Sequence, residues 1–282
     1  MRMRLVVLLG LCWVAVSVRG EFPAAWTKAV EPVRVVGNIY YVGTEDLGSY
    51  LVATDKGLVL LDVPMAENVP LIVKNIEKLG FDPKKIRVLI ASHAHMDHIG
   101  GFAAMKEKTG ATVYLSAPDA ELAARGGLND FAFGDTLAYP AVKADRIVKD
   151  GDVVRLGGAA MTAMVTPGHT RGCTTWRTTV KENGKPLDVV FLCSVTAPGY
   201  TLVNNTKYPK IMDDYRATFA RLRKLEPDVF LSNHGSFFGL TGKLARVKDG
   251  GPNPFVGQGE WRPYLDRAWK DLESAERKQR GE

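Results

Sequence analysis

Ile86-Arg87-Val88-Leu89-Ile90-Ala91-Ser92-His93-Ala94-His95-Met96-Asp97-His98 is the stretch whose reading decides the fold. Residues 86–91 are a short apolar run of the kind that forms a buried strand. The chain then places three imidazoles and a carboxylate within six residues, on a loop held by a rigid element. That mixture of nitrogen and oxygen donors is the one Zn²⁺ favours. His93 and His95, two apart, can converge on one metal. Asp97 and His98, adjacent and facing differently, can serve a second. Two metals roughly 3.5–4 Å apart are the arrangement hydrolases use to activate water and hold a leaving group.

Two further places repeat the arrangement. Val165-Thr166-Pro167-Gly168-His169-Thr170 ends an apolar run, turns at Pro and Gly, and presents a histidine. Val229-Phe230-Leu231-Ser232-Asn233-His234-Gly235 does the same without the proline. The chain has five histidines, and each falls at the end of an expected strand. A lone histidine in a loop carries little meaning; here none is left over for another role.

Around these motifs, alternating runs at 33–36, 39–42, 50–54 and 58–62 read as antiparallel strands joined by tight turns. Residues 67–79 carry apolar side chains at helical spacing, closed by Gly80. Short helices are expected at 102–108 and 118–124, with a strand at 112–115 between them. The second half repeats the style, with strands at 153–156, 160–165, 174–180, 189–193 and 229–231. Helices are expected there at 213–225 and 261–277. Two sets of strands with helices between them predict an α/β fold in which two sheets pack face to face under outer helices.

Composition excludes several classes. With 46% hydrophobic and 24% charged residues over 282 positions, the chain can bury a sizeable core and is not a disordered polymer. Three cysteines do not make a disulfide-stapled miniprotein. Arg2 and Arg4 precede an uncharged apolar stretch, 5–18, too short for an ordinary membrane span. Residues 1–20 therefore read as a secretory signal, cleaved after Ser17 or Gly20, with an uncleaved anchor as the alternative. Removing Arg2, Arg4 and Arg19 takes the net charge from +6 to +3. The remaining basic residues lie among acids, so neither nucleic acid nor stable membrane association is expected. Residues 21–282 are expected to form one domain.

The three motifs resemble the metal-binding motifs of the metallo-β-lactamase fold superfamily, in order and across essentially the whole exported chain. Arg125-Gly126-Gly127-Leu128-Asn129-Asp130, Gly172-Cys173-Thr174-Thr175-Trp176 and Ser194-Val195-Thr196-Ala197-Pro198-Gly199-Tyr200 further resemble segments of the subclass B3 enzymes. The resemblance implies an α/β, four-layer αββα sandwich of two mixed sheets, carrying two zinc ions. His93, His95 and His169 would bind one; Asp97, His98 and His234 would bind the other. Asp62, ending an expected strand, matches a carboxylate that orients a ligand histidine; a plain strand-end carboxylate is the other reading. Ser194 and Thr196, sharing a side-chain direction, would hold the substrate carboxylate.

The implied activity is opening of the β-lactam ring of penicillins, cephalosporins and carbapenems by a zinc-bound hydroxide that Asp97 orients. It needs no covalent acyl-enzyme and so no nucleophilic serine. A periplasmic, monomeric enzyme of antibiotic resistance follows from the same resemblance. Other hydrolases of the fold, acting on lactones or thioesters, carry a bridging aspartate at the end of the strand that here reads Val189-Val190-Phe191-Leu192-Cys193-Ser194. Its absence argues against them. A zinc-binding protein without catalysis is a further alternative. Cys193 could be a ligand, but aligning on Ala197-Pro198-Gly199-Tyr200 puts Ser194 at that place. Strand alternation would then point Cys193 to the opposite side. Cys173 and Cys193 could also be bridged, which spacing does not decide. Asp62-Val63-Pro64 departs from the more common aspartate-x-glycine. Phe22 and Trp26 either line the mouth of the site or pack in the core.

Overall fold

The structure is a computed structural model that describes residues 22–257 and 259–282. The expected signal, 1–20, lies outside the described residues. No helix among the described residues is long and apolar enough to cross a membrane.

The first half builds a seven-stranded sheet in chain order: β1 (Val33–Val36), β2 (Ile39–Tyr41), β3 (Tyr50–Thr54), β4 (Gly57–Leu61), β5 (Ile86–Ile90), β6 (Thr112–Ser116) and β7 (Arg146–Val148). Pairing is antiparallel from β1 to β4 and parallel from β4 to β7. The crossovers of the parallel part carry α1 (Val69–Lys78), α2 (Met96–Ile99), α3 (Phe102–Thr109) and α4 (Ala117–Ala124), as parallel strands require.

The second half adds β8 (Val153–Leu156), β9 (Ala159–Val165), β10 (Thr174–Glu182), β11 (Lys185–Leu192) and β12 (Val229–Ser232) in a five-stranded sheet, β12-β11-β10-β9-β8. Here β8 to β11 are antiparallel, and β12 joins parallel after α5 (Ile211–Leu222). α6 (Leu240–Lys248) and α7 (Trp261–Arg280) close the chain.

Strand alternation sorts the core into its layers. In β4, Val59 and Leu61 face the second sheet, while Leu58 and Leu60 face α1 and α3. In β5, Val88 and Ile90 face inward, with Ile86 and Leu89 facing the helices. Met161, Ala163 and Trp176 meet the inner face from the second sheet, and Phe219, Trp261 and Leu265 cover its outside. The result is helix, sheet, sheet, helix. Trp176 is fully buried and donates its indole N–H to the Ala91 carbonyl at 2.8 Å. Thr174 N–H reaches the Ser92 carbonyl at 2.8 Å. The second sheet is thus bonded directly to the strand end that carries His93.

Three elements depart from the sequence reading. β7 is a three-residue edge strand with Arg146 and Ile147 exposed, so it shows no alternation. α6 follows the left-handed Gly239 and contains Gly242, which breaks its helical signature. Residues 96–99, expected as loop, form the single helical turn α2, which begins after His95.

Candidate metal centre

Every chemically singled-out side chain stands at one edge of the sandwich. Asp62 follows β4, while His93 and His95 follow β5 and α2 carries Asp97 and His98. His169 sits between β9 and β10, Ser194 and Thr196 follow β11, and His234 follows β12. Parallel strands run their carboxyl ends to one side, and ligands collect there. Gly168 makes the β9–β10 turn possible. Its φ is +139°, and a Cβ there would lie 2.5 Å from the Tyr215 ring.

His93, His95 and His169 pack ring against ring, with centroids 4.5–4.9 Å apart, and one donor atom from each lies within 4.8 Å of the others. His169 Nδ1 donates to the Thr196 carbonyl at 2.7 Å, which fixes the tautomer and leaves Nε2 as an acceptor 3.2 Å from His95 Nδ1. His93 Nε2 is buried without a hydrogen-bond partner. Burial, reinforced by the neighbouring imidazoles, holds His93 well below the usual histidine range and brings His169 down to about 3. Neutral imidazole is the form that binds metal.

The other half is built on carboxylates. Asp97 Oδ2 lies 3.3 Å from His98 Nε2 and 3.6 Å from His234 Nε2. One donor atom from each of His93, Asp97 and His98 also falls within 4.8 Å of the others. Burial opposes the charge on Asp97, but His98 and His234 hold it well below the usual carboxylate range. Burial likewise opposes charge on His234, yet Asp46 and Asp97 raise it to about 9. Two carboxylates around one imidazolium make a pocket that stabilises positive charge.

Behind these candidate ligands stand further polar side chains. Asp62, fully buried with φ 58°, accepts from Ser92 N–H at 2.6 Å and Ser92 Oγ–H at 2.8 Å, and lies 3.7 Å from His98 Nδ1. Burial pushes its carboxyl up to about 8. Asp46 Oδ2 accepts from His234 Nδ1 at 2.9 Å, and its other oxygen takes Ser236 N–H at 2.8 Å. Asp119 accepts from Ala94 N–H and the Thr170 hydroxyl, while Tyr139 donates to the Ala94 carbonyl at 2.6 Å. The peptide between His93 and His95 is thereby held on both sides. Asp46, Asp119, Asp130 (3.6 Å from His95 Nε2) and Tyr139 escaped the sequence reading as supports of the site. Their signals, an acid in a turn and an acid opening a helix, are those of ordinary local structure.

Cys173 and Cys193 form a disulfide, with Cα atoms 5.9 Å apart. This corrects the cysteine-ligand alternative, because neither sulfur is free as a thiolate. Cys193 Sγ lies 3.8 Å from His93 Nδ1, backing that ring on the side away from Nε2. The Ser194 and Thr196 hydroxyls do share a direction and sit 2.9 Å apart. Of the two open readings for Phe22 and Trp26, the mouth is the one the geometry favours. Their rings stack at 5.5 Å, Trp26 lies 5.9 Å from the His234 ring, and Phe22 is exposed.

These residues fit a metal. Buried imidazole nitrogens without hydrogen-bond partners, a converging histidine cluster and the Asp97 carboxylate beside it form a donor set for which protein contacts alone give no use.

Comparison with known proteins agrees with this geometry. Residues 49–182 match the family model of the metallo-beta-lactamase superfamily. The chain is 41% identical to BJP-1 of Bradyrhizobium japonicum, with a TM-score of 0.87 over 92% of this chain and 98% of that one. It is 37% identical to the native FEZ-1 metallo-beta-lactamase of Legionella gormanii, with a TM-score of 0.89 over 92% and 99%. The chain therefore belongs to the metallo-β-lactamase superfamily. Its solved relatives narrow the likeness, since BJP-1 is described as a subclass B3 metallo-β-lactamase. Among curated proteins it resembles a hydroxyacylglutathione hydrolase of Chelativorans sp. (strain BNC1), 31% identical over 113 residues, 40% of this chain. The match to the first three curated relatives spans only 31%, 41% and 35% of their lengths.

Proposed function

We propose that the protein is an exported, zinc-dependent β-lactamase of the B3 type that opens the β-lactam ring of penicillins, cephalosporins and carbapenems. The observation that carries this is the sorted set of candidate ligands: His93, His95 and His169 converging on one side, with Asp97, His98 and His234 on the other. His93, His95 and His169 would hold one zinc ion, and Asp97, His98 and His234 a second. Zinc, when bound, acts as a Lewis acid and lowers the pKa of water from 15.7 to about 7.

The chain's own residues do the rest. The Asp97 carboxylate, facing both His98 and His234, accepts a hydrogen bond from the attacking water and so orients it. Ser194 and Thr196, with paired hydroxyls, donate to the substrate carboxylate. The Thr196 carbonyl holds His169 in its binding tautomer. Asp46 fixes the His234 ring from outside by accepting from its Nδ1, and Asp62 stands 3.7 Å behind His98 Nδ1. No serine is called on as a nucleophile.

Export, one domain over 21–282, a monomeric state and a role in resistance belong to the same proposal. Export rests on the sequence of residues 1–20 alone. The curated relatives give specific support to a second reading, a thioester hydrolase. Against it stands the end of β11, where Cys193 is disulfide-bonded and Ser194 follows, with no aspartate at either position. Turnover of the chromogenic cephalosporin nitrocefin, set against S-lactoylglutathione and a simple lactone, tests the choice. Hydrolysis confined to the thioester or the lactone would overturn the β-lactamase reading.

A further inference from the structure

A cleft of about 430 Å³ opens beside the carboxylate half of the centre, between the segment after β11, residues 235–238 and α7. It is continuous with the site through two residues. Thr196 lies on its wall, and so does Phe237, whose ring is 4.9 Å from His234 and 5.5 Å from Tyr264. Most of the lining is apolar, from Val195, Pro198, Ala268 and Leu272.

Three polar groups of α7 break that lining. The Tyr264 hydroxyl is buried with no hydrogen-bond partner, in a ring otherwise packed on Phe230 and Phe237. A buried donor without a partner costs about 1–3 kcal/mol. Arg267 lines the same cleft, is exposed, and makes no ion pair among the described residues. The other charge lining the cleft is Asp271, one turn further along α7 and likewise without an ion pair. An apolar slot that begins at a substrate-holding hydroxyl and carries an unpaired guanidinium suits a flat, apolar group with an acidic end.

We propose that this cleft is a specificity subsite for the substituent that the substrate carries on the ring carbon beside its carboxylate, and that Arg267 selects acidic substituents. The inference rests on the β-lactamase reading, because it takes the substrate carboxylate to sit at Ser194 and Thr196. The substituent next to that carboxylate then has Thr196 and Phe237 as its nearest walls. Arg267 touches the substrate without taking part in bond breaking, so its effect falls on KM. Asp271 tempers that preference, and its removal strengthens it.

The test uses the full exported, zinc-loaded enzyme. Two cephalosporins are compared, differing only in a neutral or a sulfonate-bearing aryl group at the ring carbon beside the carboxylate. Arg267→Ala is expected to raise KM for the sulfonate substrate about fivefold, with kcat unchanged and the neutral substrate unaffected. Arg267→Lys should recover part of the loss, and Asp271→Asn should lower KM for the sulfonate substrate alone. Equal effects of Arg267→Ala on both substrates, or none on either, would overturn the subsite while leaving the β-lactamase reading intact. Failure of the unmutated enzyme to hydrolyse either cephalosporin would overturn that reading, and the subsite with it.

Discussion

The two halves of the centre hold their ligands by different physics. On the side of His93, His95 and His169, burial and imidazole neighbours push the His93 and His169 rings below the usual histidine range. Their contacts are Ser92 and Asn233 beside His93 and the Thr196 carbonyl on His169, with a single carboxylate, Asp130, 3.6 Å from His95. On the side of Asp97, His98 and His234, the charge comes from Asp97 and from Asp46 behind His234, while the Asp62 carboxyl, pushed up to about 8 by burial, stands 3.7 Å from His98. The three-histidine half offers nitrogen donors alone. An anionic half adds a charge that attracts a second cation and a carboxylate that can hold water. Under the proposed function, that difference puts orientation of the nucleophile in the second half and metal retention in the first.

Loss of metal should erase that difference altogether. Exhaustive chelation is expected to abolish hydrolysis, and added zinc to restore it; activity surviving verified zinc depletion would contradict both halves at once. Asp97→Ala removes the only carboxylate among the six proposed ligands and should lower kcat about a hundredfold to ten-thousandfold in a protein that still folds. Full turnover by the folded variant would remove Asp97 from the chemistry. His169→Ala, on the three-histidine side, should also abolish most activity, read as lost zinc binding at equilibrium dialysis.

A smaller effect is expected from the supports. Asp46→Asn should weaken zinc about tenfold to a hundredfold on the carboxylate side only. At limiting zinc, metal per chain should then fall toward one, and an unchanged stoichiometry would show that Asp46 does not support that half. The framework itself is probed by Trp176→Ala, which leaves a large cavity between the sheets and frees the Ala91 carbonyl. Chemical denaturation should show a loss of about 3–5 kcal/mol. Smallest of all, Ser194→Ala should raise KM about tenfold with little change in kcat.

The ligands were legible in the sequence because each sits immediately after an apolar strand, and strand ends are marked by simple periodicity. His93 to His98, His169 and His234 therefore appeared before any contact was known. The two sheets were legible from apolar runs bounded by turns, and β4 alternates between the inner core and the helices. What stayed hidden depends on long-range approach. Asp46 meets His234 across 188 residues of sequence, and Asp119 meets Ala94 across 25. Neither acid differs, as a residue in its own segment, from the many acids that cap turns and helices. The pairing of Cys173 with Cys193 was equally closed to spacing, since it depends on how closely the ends of β10 and β11 approach.

The most direct measurement is hydrolysis of one penicillin, one cephalosporin and one carbapenem by the purified protein, each with and without a zinc chelator. Turnover of these β-lactams that stops with chelator and returns with zinc is the expected result. No turnover of any of the three by fully zinc-loaded protein would contradict the central claim.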